Sequence, residues 1–257
     1  MKKIAIIGVG HMGSALLEGL ANTHEFELIG ENPINPRVSD LSDKLSFTLV
    51  HSIAELIKLS PDFVILTTPA SITMDIVSKL TDLDINSIII SAAAGYSYEE
   101  YHQALPDHQI VRCIPNIPVS VNQGTTGLFI PENISDSTRE EILDLLNKLG
   151  ETILVKEEQL SIVGTIGGCG PAFVDVFLDA LADSGVLEGL QRKLANKLAA
   201  SMVNGAATLA LKSGKEPSLL KDQVCSPGGT TIKGVVSLEK NGFRNAVIEA
   251  VKAANHN

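Results

Sequence analysis

From its beginning to about residue 155, the chain alternates short apolar runs with segments whose apolar residues recur at helical spacing. Such alternation is typical of a mostly parallel sheet covered by helices, because parallel strands need helical crossovers. We predict strands at Lys3–Ile7, Glu27–Gly30, Thr48–Val50, Asp62–Thr67, Ser87–Ile90, Gln109–Cys113, Gly127–Ile130 and Thr152–Val155. We predict helices between most of them, for example at Ser14–Ala21, Ile53–Lys58 and Ser137–Leu149.

The pattern changes after about Lys156. From Pro171 onward, apolar residues recur only at helical spacing, and glycine and proline interrupt them. No repeat or low-complexity tract occurs in either part. We therefore predict an α/β domain over residues 1–156 and an all-helical domain over residues 157–257.

The segment Pro171–Glu188 begins with a proline at the first helical position and is apolar on nearly every side. A small helical domain covers such a helix most easily by packing it against a second copy of itself, so we predict a homodimer through this region. Its aspartates, Asp175, Asp179 and Asp183, recur every four residues and therefore lie on one stripe. That stripe could bind a metal or act in acid–base chemistry, but a solvated edge is the favoured interpretation.

The composition disfavours several classes of protein. The net charge is −10, and no Lys/Arg run is longer than Lys2-Lys3, which disfavours nucleic acids and anionic membranes as partners. The three cysteines lie far apart, so we expect no disulfide scaffold, no structural metal and a reducing compartment. The first apolar run is too short for a signal peptide, and we find no apolar stretch of 18 residues. We therefore expect a cytoplasmic protein without a membrane segment.

A glycine-rich turn, Gly8-Val9-Gly10-His11-Met12-Gly13, separates the first predicted strand from the first helix. This is the context of a dinucleotide-binding fingerprint. The first glycine permits the tight turn, the second lets the backbone approach a pyrophosphate, and the third permits close packing of the helix. The predicted contacts of a nicotinamide dinucleotide in this turn are Gly8, Gly10, His11, Met12 and Gly13.

The end of the second predicted strand bears on which nucleotide binds. Glu31 lies 18 residues after Gly13, near the position where an acid would bind the ribose hydroxyls of NAD. In the competing interpretation, Glu31 points outward while Asn32 and Arg37 face the 2′-phosphate of NADP. We expect NADP with NAD as the alternative, and the sequence leaves the two open.

A second candidate site is the segment Cys-Ser-Pro-Gly-Gly-Thr-Thr-Ile-Lys-Gly at 225–234, which enters a predicted helix at Thr231–Lys240. The first turn of a helix has unpaired N–H groups and a partial positive charge, which suit a small carboxylate. Two consecutive glycines let the backbone approach a ligand closely. The alternative is an ordinary helix N-cap without a ligand.

With both segments in place, the chain resembles the pyrroline-5-carboxylate reductase family over essentially its whole length. The most specific mark is the Ser-Pro-Gly-Gly-x-Thr element at 226–231, which is intact. Other shared stretches are Ala-Ala-Gly at 93–95, Arg-Cys-Ile-Pro-Asn-Ile-Pro at 112–118, Gly-Cys-Gly-Pro-Ala-Phe at 168–173 and Ser-Leu-Glu-Lys-Asn-Gly-Phe-Arg at 237–244.

This resemblance implies a Rossmann-type, mostly parallel sheet domain followed by an all-helical dimerisation domain, with substrate bound where the two meet. It implies reduction of the C=N bond of 1-pyrroline-5-carboxylate to L-proline by hydride from NAD(P)H, the last step of proline biosynthesis. The implied partners are a small cyclic imino acid and a second copy of the chain, and in related enzymes such dimers assemble further.

The resemblance also implies roles for individual residues. Ser226 and the amides of Gly229 and Thr230 would hold the substrate carboxylate, while Thr231 would lie by the ring nitrogen. Thr231 and Ser226 are therefore the predicted catalytic residues. Asn116 is predicted to line the substrate site, although it could simply fix a loop turn. Further predicted nucleotide contacts are Asn32, Thr68, Pro69 and Ala93.

Several positions depart from the family pattern. A common Lys is replaced by Thr68, a usual Thr by Ile117, a usual Tyr by Phe173, and two serines by Gly167 and Cys169. Each change removes a polar group near the expected cofactor or substrate, which leaves affinity and rate open. One alternative is therefore a regulatory paralogue that binds NAD(P) with weakened catalysis, although such a protein would be expected to lose the substrate loop as well.

The enzymatic alternative is a hydroxyacid dehydrogenase of similar layout. Alcohol oxidation needs a base for the hydroxyl proton, and these enzymes place a Lys or His on the long helix of the second domain. The segment Pro171–Glu188 contains neither residue type. Imine reduction has no such need, because a protonated imine is already electrophilic.

Overall fold

The structure, a computed structural model, describes residues 1–255. It divides into two compact units, Met1–Gly168 and a second that begins at Cys169. The first unit contains a mixed sheet with covering helices, and the described part of the second contains helices only. The predicted fold class is confirmed.

Eight strands form one sheet in the order β3-β2-β1-β4-β5-β6-β7-β8. Neighbouring strands run parallel except for β6 and β7, which pair antiparallel. The strands are β1 Lys2–Ile7, β2 Phe26–Glu31, β3 Thr48–Val50, β4 Phe63–Leu66, β5 Ile88–Ser91, β6 Gln109–Ile114, β7 Gly124–Phe129 and β8 Gly150–Leu154.

Helices cover both faces of this sheet. They are α1 His11–Ala21, α2 Pro36–Leu45, α3 Ile53–Lys58, α4 Ala70–Val77, α5 Tyr98–Ala104, α6 Asp136–Asn147 and α7 Leu160–Gly164. Two short 3₁₀-helices lie at Ile117–Val121 and Glu157–Gln159, and a π-helical turn lies at Thr165–Cys169. Several helices begin at side-chain caps, such as the Ser52 hydroxyl that accepts from the Glu55 amide.

The sheet has a hydrophobic core on each face, because successive side chains of β1 point to opposite sides. Ile4 and Ile6 belong to one core, while Ala5 and Ile7 belong to the other, and all four are fully buried. Burial on both faces accounts for the continuous apolar runs from which we predicted the strands.

The register aligns the carboxyl ends of four neighbouring strands. Ile7 pairs with Glu31 on one side and with Leu66 on the other, and Leu66 pairs with Ser91. The loops that follow these strands therefore start from one edge of the sheet. Ligands of open α/β sheets bind at this edge.

The second unit consists of α8 Gly170–Leu187, α9 Arg192–Ser213, α10 Pro217–Gln223, α11 Thr230–Lys240 and α12 Phe243–Asn255. Its buried apolar residues are small, namely Ala182, Ala195 and Ala199. Many of its large apolar side chains are exposed, including Val176 at 72% and Leu187 at 82%. This unit therefore has little core of its own.

The aspartate stripe of α8 is solvated, as the favoured interpretation expects. Asp175 and Asp179 are exposed. Asp183 is also exposed, and its Oδ1 accepts a hydrogen bond of 2.5 Å from the Arg192 guanidinium. Within residues 1–255, no group of three or more His, Cys, Asp or Glu residues is placed to hold a metal ion.

One helical stretch bears on the expectation that the chain has no membrane segment. The helical stretch Glu157–Leu187 is long enough to cross a membrane and contains an 18-residue window with a mean hydropathy of 1.5. Glycine, serine and threonine residues interrupt the apolar residues of this stretch, so it contains no uninterrupted apolar run of 18 residues. They lower the mean hydropathy only slightly, which therefore stays high. Core helices of proteins outside membranes have the same composition.

Candidate functional site

The glycine turn after β1 uses each of its three glycines differently. Gly8 has a φ of +91°, and a Cβ there would lie 2.8 Å from the Thr68 methyl carbon. A Cβ on Gly13 would lie 2.4 Å from the carbonyl oxygen of Gly8, so this glycine lets α1 pack against the turn. Beyond the chain neighbours of Gly10, no residue within 1–255 lies within 4 Å of the position that a Cβ on Gly10 would take. The middle glycine therefore leaves open space for a ligand beside the backbone.

Two side chains hold this turn from the β2 side. The Asn32 side-chain oxygen accepts a hydrogen bond of 3.0 Å from the Val9 amide, and its nitrogen donates to the Pro33 carbonyl at 2.8 Å. The exposed guanidinium of Arg37 donates to the Ser14 hydroxyl at 2.9 Å and to the Val9 carbonyl. The side chains of Asn32 and Arg37 therefore stabilise the turn through hydrogen bonds.

A groove of about 1210 Å³ opens at the carboxyl edge of the sheet, next to this turn. Six of the predicted nucleotide contacts line it, namely Gly8, Gly10, His11, Asn32, Thr68 and Pro69. The other three lie outside the lining. Met12 packs on the core, Gly13 lies under the turn, and Ala93 is buried after β5.

Glu31 is the acidic group of the groove. It is only 7% exposed, and neither carboxylate oxygen accepts a hydrogen bond from the described residues. Burial raises the pKa of Glu31, while the nearby charges of His51 and Lys79 act to lower it. Because this carboxylate faces the groove and has no protein donor, Glu31 is suited to accept hydrogen bonds from a ligand.

Sequence analysis missed His51 and Lys79, which also line the groove. His51 Nδ1 lies 2.9 Å from the Asn32 carbonyl oxygen, and since a carbonyl only accepts, this nitrogen must carry the proton. The signal was available, because His51 directly follows the predicted strand at Thr48–Val50. Parallel strands end at one edge, so this position lies near Glu31.

Thr67 and Thr68 form the opposite wall of the turn. The Thr67 hydroxyl donates to the carbonyl oxygens of Ile7 and Gly8, at 3.0 and 2.7 Å. The buried Thr68 hydroxyl lies 2.9 Å from the Thr73 hydroxyl. Thr68 therefore turns its polar group into the protein and contributes its backbone and methyl group to the wall.

The side chain of Asn116 is engaged at both ends. Its oxygen accepts a hydrogen bond of 2.8 Å from the Thr125 amide, and its nitrogen donates to the Gly167 carbonyl at 3.0 Å. Only 6% of the residue is exposed. Its polar atoms bind backbone groups of its own unit, as the loop-fixing alternative expects.

The second unit carries the segment at 226–231. Gly228 has a φ of +70°, and the Gly229 amide donates to the Ser226 carbonyl at 3.0 Å, which closes a tight turn. The Gly229 amide is thus engaged within the protein, and its predicted contact with the substrate carboxylate is wrong. The first turn of α11 instead offers the amides of Thr230, Thr231 and Ile232, because the first N–H groups of a helix have no intrahelical acceptor.

Gly229 has a steric role in this turn. A Cβ at this position would lie 2.3 Å from the Ser226 hydroxyl oxygen. The glycine therefore permits the position of the Ser226 side chain at the mouth of α11. Ser226, Thr230 and Thr231 are all exposed. The turn thus combines accessible hydroxyls with free amides, a set that suits a carboxylate.

Comparisons with known proteins agree with one another. The family model described as "Pyrroline-5-carboxylate reductase dimerisation" matches residues 157–257, and the one described as "NADP oxidoreductase coenzyme F420-dependent" matches residues 3–95. A pyrroline-5-carboxylate reductase of Escherichia coli (strain K12) is 36% identical over 256 residues, which cover 97% of this chain and 94% of the relative. One from Methanosarcina acetivorans is 35% identical over 254 residues, with shares of 97% and 94%.

A solved structure gives the same relation. The crystal structure of Plasmodium falciparum pyrroline carboxylate reductase with NADP bound matches this chain with a TM-score of 0.85 at 29% identity. The match covers 99% of this chain and 95% of that one. The likeness therefore extends through both units.

Proposed function

This chain belongs to the pyrroline-5-carboxylate reductase family, and from that premise we propose that it reduces the C=N bond of 1-pyrroline-5-carboxylate to L-proline. NADPH, when bound, supplies the hydride, and NADH is the alternative donor. The ring carbon of the C=N bond gains the hydride, and the ring nitrogen ends as a secondary amine. The observation that carries the proposal is the exposed Ser226 beside the first turn of α11, where the hydroxyls of Thr230 and Thr231 are exposed and the first backbone amides have no intrahelical acceptor.

The residues of the first unit fit a nicotinamide dinucleotide. The backbone at Gly10 would be open to a pyrophosphate, since no described residue other than its chain neighbours lies within 4 Å of its missing Cβ. Glu31 would accept hydrogen bonds from ribose hydroxyls, as in NADH. His51 and Lys79, on the same groove, would face the added phosphate of NADPH. Glu31 would therefore favour NADH, while His51 and Lys79, which line the same groove, would favour NADPH.

The substrate carboxylate would be held at the start of α11. Ser226 would donate its hydroxyl hydrogen, and Thr230 and Thr231 their amide hydrogens, helped by the positive end of the helix dipole. The Thr231 hydroxyl would hydrogen-bond the ring nitrogen and relay a proton from water. Gly229 takes part by leaving room for Ser226.

Positioning accounts for the catalysis under this proposal. A protonated imine is electrophilic, so the protein need not supply a strong acid or base. The helix α8 of the second unit contains no Lys or His that could act as such an acid or base. A hydroxyacid dehydrogenase would need such a base, so imine reduction is the better match.

The chain would work as a homodimer in the cytoplasm, with neither nucleic acid nor a membrane as partner. The matched dimerisation model over residues 157–257 supports homo-oligomerisation. A second copy packed against α8 would cover the exposed apolar side chains of that helix. Larger assemblies built from such dimers are compatible with the same interface.

The proposal is tested by mixing the purified protein with NADPH or NADH, with and without 1-pyrroline-5-carboxylate. The loss of reduced-nicotinamide absorbance is followed, and L-proline is measured as product. We expect oxidation that depends on the imino acid and matches the proline formed. Nucleotide binding without turnover, on this imino acid and on its six-membered analogue, would contradict the reductase and support a regulatory paralogue. Turnover of hydroxyacids alone would support the dehydrogenase.

A further inference from the structure

The 3₁₀-helix Ile117–Val121 has an asparagine at each end. Asn122, at its C-terminus, has a φ of +57°. Its side-chain nitrogen donates to the carbonyl oxygens of Gly19 and Lys148, both at 2.8 Å. Asn116, at the N-terminus, also binds backbone groups, and one of these lies in a segment that is neither an α-helix nor a strand.

That partner is Gly167, in the π-helical turn Thr165–Cys169. π-helical turns are rare, their hydrogen bonds are wider than those of an α-helix, and they occur often at functional sites. This turn contains two adjacent glycines, Gly167 and Gly168, and glycine has more backbone freedom than any other residue. The Asn116 amide restrains this turn from outside it, through the hydrogen bond to the Gly167 carbonyl.

The turn also leaves its backbone open. Apart from the turn's own neighbouring backbone, no described residue lies within 4 Å of the position that a Cβ would take on Gly167 or on Gly168. Gly10, in the nucleotide turn, shares this property. A glycine whose missing side chain leaves free space lets a ligand approach the backbone.

We propose that Asn116 is a positioning residue, which holds the glycine turn at 165–169 in the geometry that contacts the bound reactants. It acts through Gly167 and does not touch the substrate. This inference rests on the proposed reductase function. It replaces a direct substrate contact by Asn116, since both ends of that amide are taken by Thr125 and Gly167 and only 6% of the residue is exposed.

The two roles predict different kinetics. If Asn116 bound the imino acid directly, its loss would raise the KM for the imino acid. If it positions the turn, the reactants still bind but are misaligned, and misplacement by about 1 Å costs up to roughly a hundredfold in rate. The effect then falls on kcat.

The test compares Asn116→Asp with Asn122→Asp. In Asn116→Asp the oxygen that accepts from Thr125 remains, while the donor to Gly167 is lost. Asn122→Asp likewise loses a donor to backbone carbonyls, at the other end of the same 3₁₀-helix, so it is a matched control for stability. We expect kcat to fall by about tenfold to a hundredfold in Asn116→Asp, with the KM for the imino acid within about twofold. We expect Asn122→Asp to retain the wild-type kcat.

A second readout does not depend on turnover. Amide hydrogen exchange in residues 165–169 should be faster in Asn116→Asp than in the wild type and unchanged in Asn122→Asp. Equal exchange in the two variants, equal kcat, or a loss confined to KM would overturn the proposal. A wild type without imine reduction would contradict the proposed function instead, and the exchange data would still decide the role of Asn116. If Asn116→Asp does not fold, Asn116→Ser and Asn122→Ser, which each lose the whole side-chain amide, are compared with each other without a new charge.

Discussion

Gly229 acts through the side chain that it lacks. A methyl group there would lie 2.3 Å from the Ser226 hydroxyl oxygen and 3.1 Å from the Ser226 carbonyl oxygen. Gly229→Ala should therefore displace Ser226 from the mouth of α11. We expect the KM for the imino acid to rise on the order of tenfold, the equivalent of one charge-assisted hydrogen bond, with nucleotide affinity unchanged.

Gly234→Ala is the matched control for Gly229→Ala. Gly234 lies in the interior of the same helix, and apart from that helix's own backbone no part of the described chain lies within 4 Å of its missing Cβ. Steady-state kinetics and nucleotide titration on both variants make the comparison. An unchanged KM in Gly229→Ala would show that Ser226 does not bind the carboxylate.

Glu31 sets the choice of nucleotide under the proposal. Its carboxylate lines the groove without a protein donor, and an ionised carboxylate repels the 2′-phosphate of NADPH. Glu31→Gln should raise the ratio of kcat/KM for NADPH over NADH by roughly tenfold, since two unit charges about 4 Å apart interact by about 1 to 4 kcal/mol near a protein surface. Lys79→Gln removes an opposite charge from the same groove and should lower that ratio. Shifts in the same direction for both variants would contradict the assignment.

The buried Glu31 also makes stability depend on pH. Burial raises the pKa of Glu31, against the lowering effect of His51 and Lys79. A carboxyl group with a higher pKa in the folded protein holds its proton more tightly there, so its contribution favours folding at low pH and is lost as the pH rises through the folded pKa. The free energy of unfolding of Glu31→Gln minus that of the wild type should therefore increase from about pH 4 to about pH 7. Urea unfolding without nucleotide measures it, and a difference independent of pH would contradict a raised pKa.

At the scale of elements, α11 offers the substrate both backbone amides and the Thr231 hydroxyl, and a substitution of Thr231 separates the two contributions. Its first turn supplies backbone amides whatever the side chains are, while Thr231 adds a hydroxyl. Thr231→Ala should keep the amides and lower kcat by roughly tenfold to a hundredfold, with nucleotide affinity nearly unchanged. Thr231→Ser restores a hydroxyl and should recover most of the rate. Equal kcat in the wild type and Thr231→Ala would remove this hydroxyl from the mechanism.

Elements bounded by strong local signals could be predicted from sequence. The strand Thr48–Val50 and the helix Ile53–Lys58 have the predicted bounds, because the Ser52 cap separates them. The glycine turn was equally readable, since its strand and helix flank it directly.

Elements that depend on distant partners could not be predicted. β7 begins at Gly124, three residues before the predicted start, because Gly124 and Thr125 pair with β8. The π-helical turn at 165–169 depends in part on the Asn116 side chain, which lies 51 residues away in sequence. The Gly229 amide donates to the Ser226 carbonyl because of the geometry of the turn at 226–229, and the residue types alone do not predict that geometry.

At the scale of the whole molecule, the second unit does not bury its own apolar surface. α8 and α12 form an apolar groove of about 470 Å³, lined by Phe173, Val176, Phe177, Ala180, Phe243, Ala246, Val247 and Ala250. Contiguous exposed apolar surface of this kind marks an interaction site. Together with the match to the dimerisation model, it favours this groove as part of the contact between copies.

Val176 tests that contact, because it is 72% exposed and lines the groove. Val176→Glu places a charge in a surface that a second copy would bury, and an unpaired buried charge costs several kcal/mol, enough to dissociate a homo-oligomer at micromolar concentration. We expect light scattering to give the mass of one chain for Val176→Glu. Ile85→Glu adds the same charge at an exposed aliphatic residue of the first unit and should keep the wild-type mass. If Val176→Glu also keeps that mass, the copies meet elsewhere, and the groove between α8 and α12 is open for a different partner.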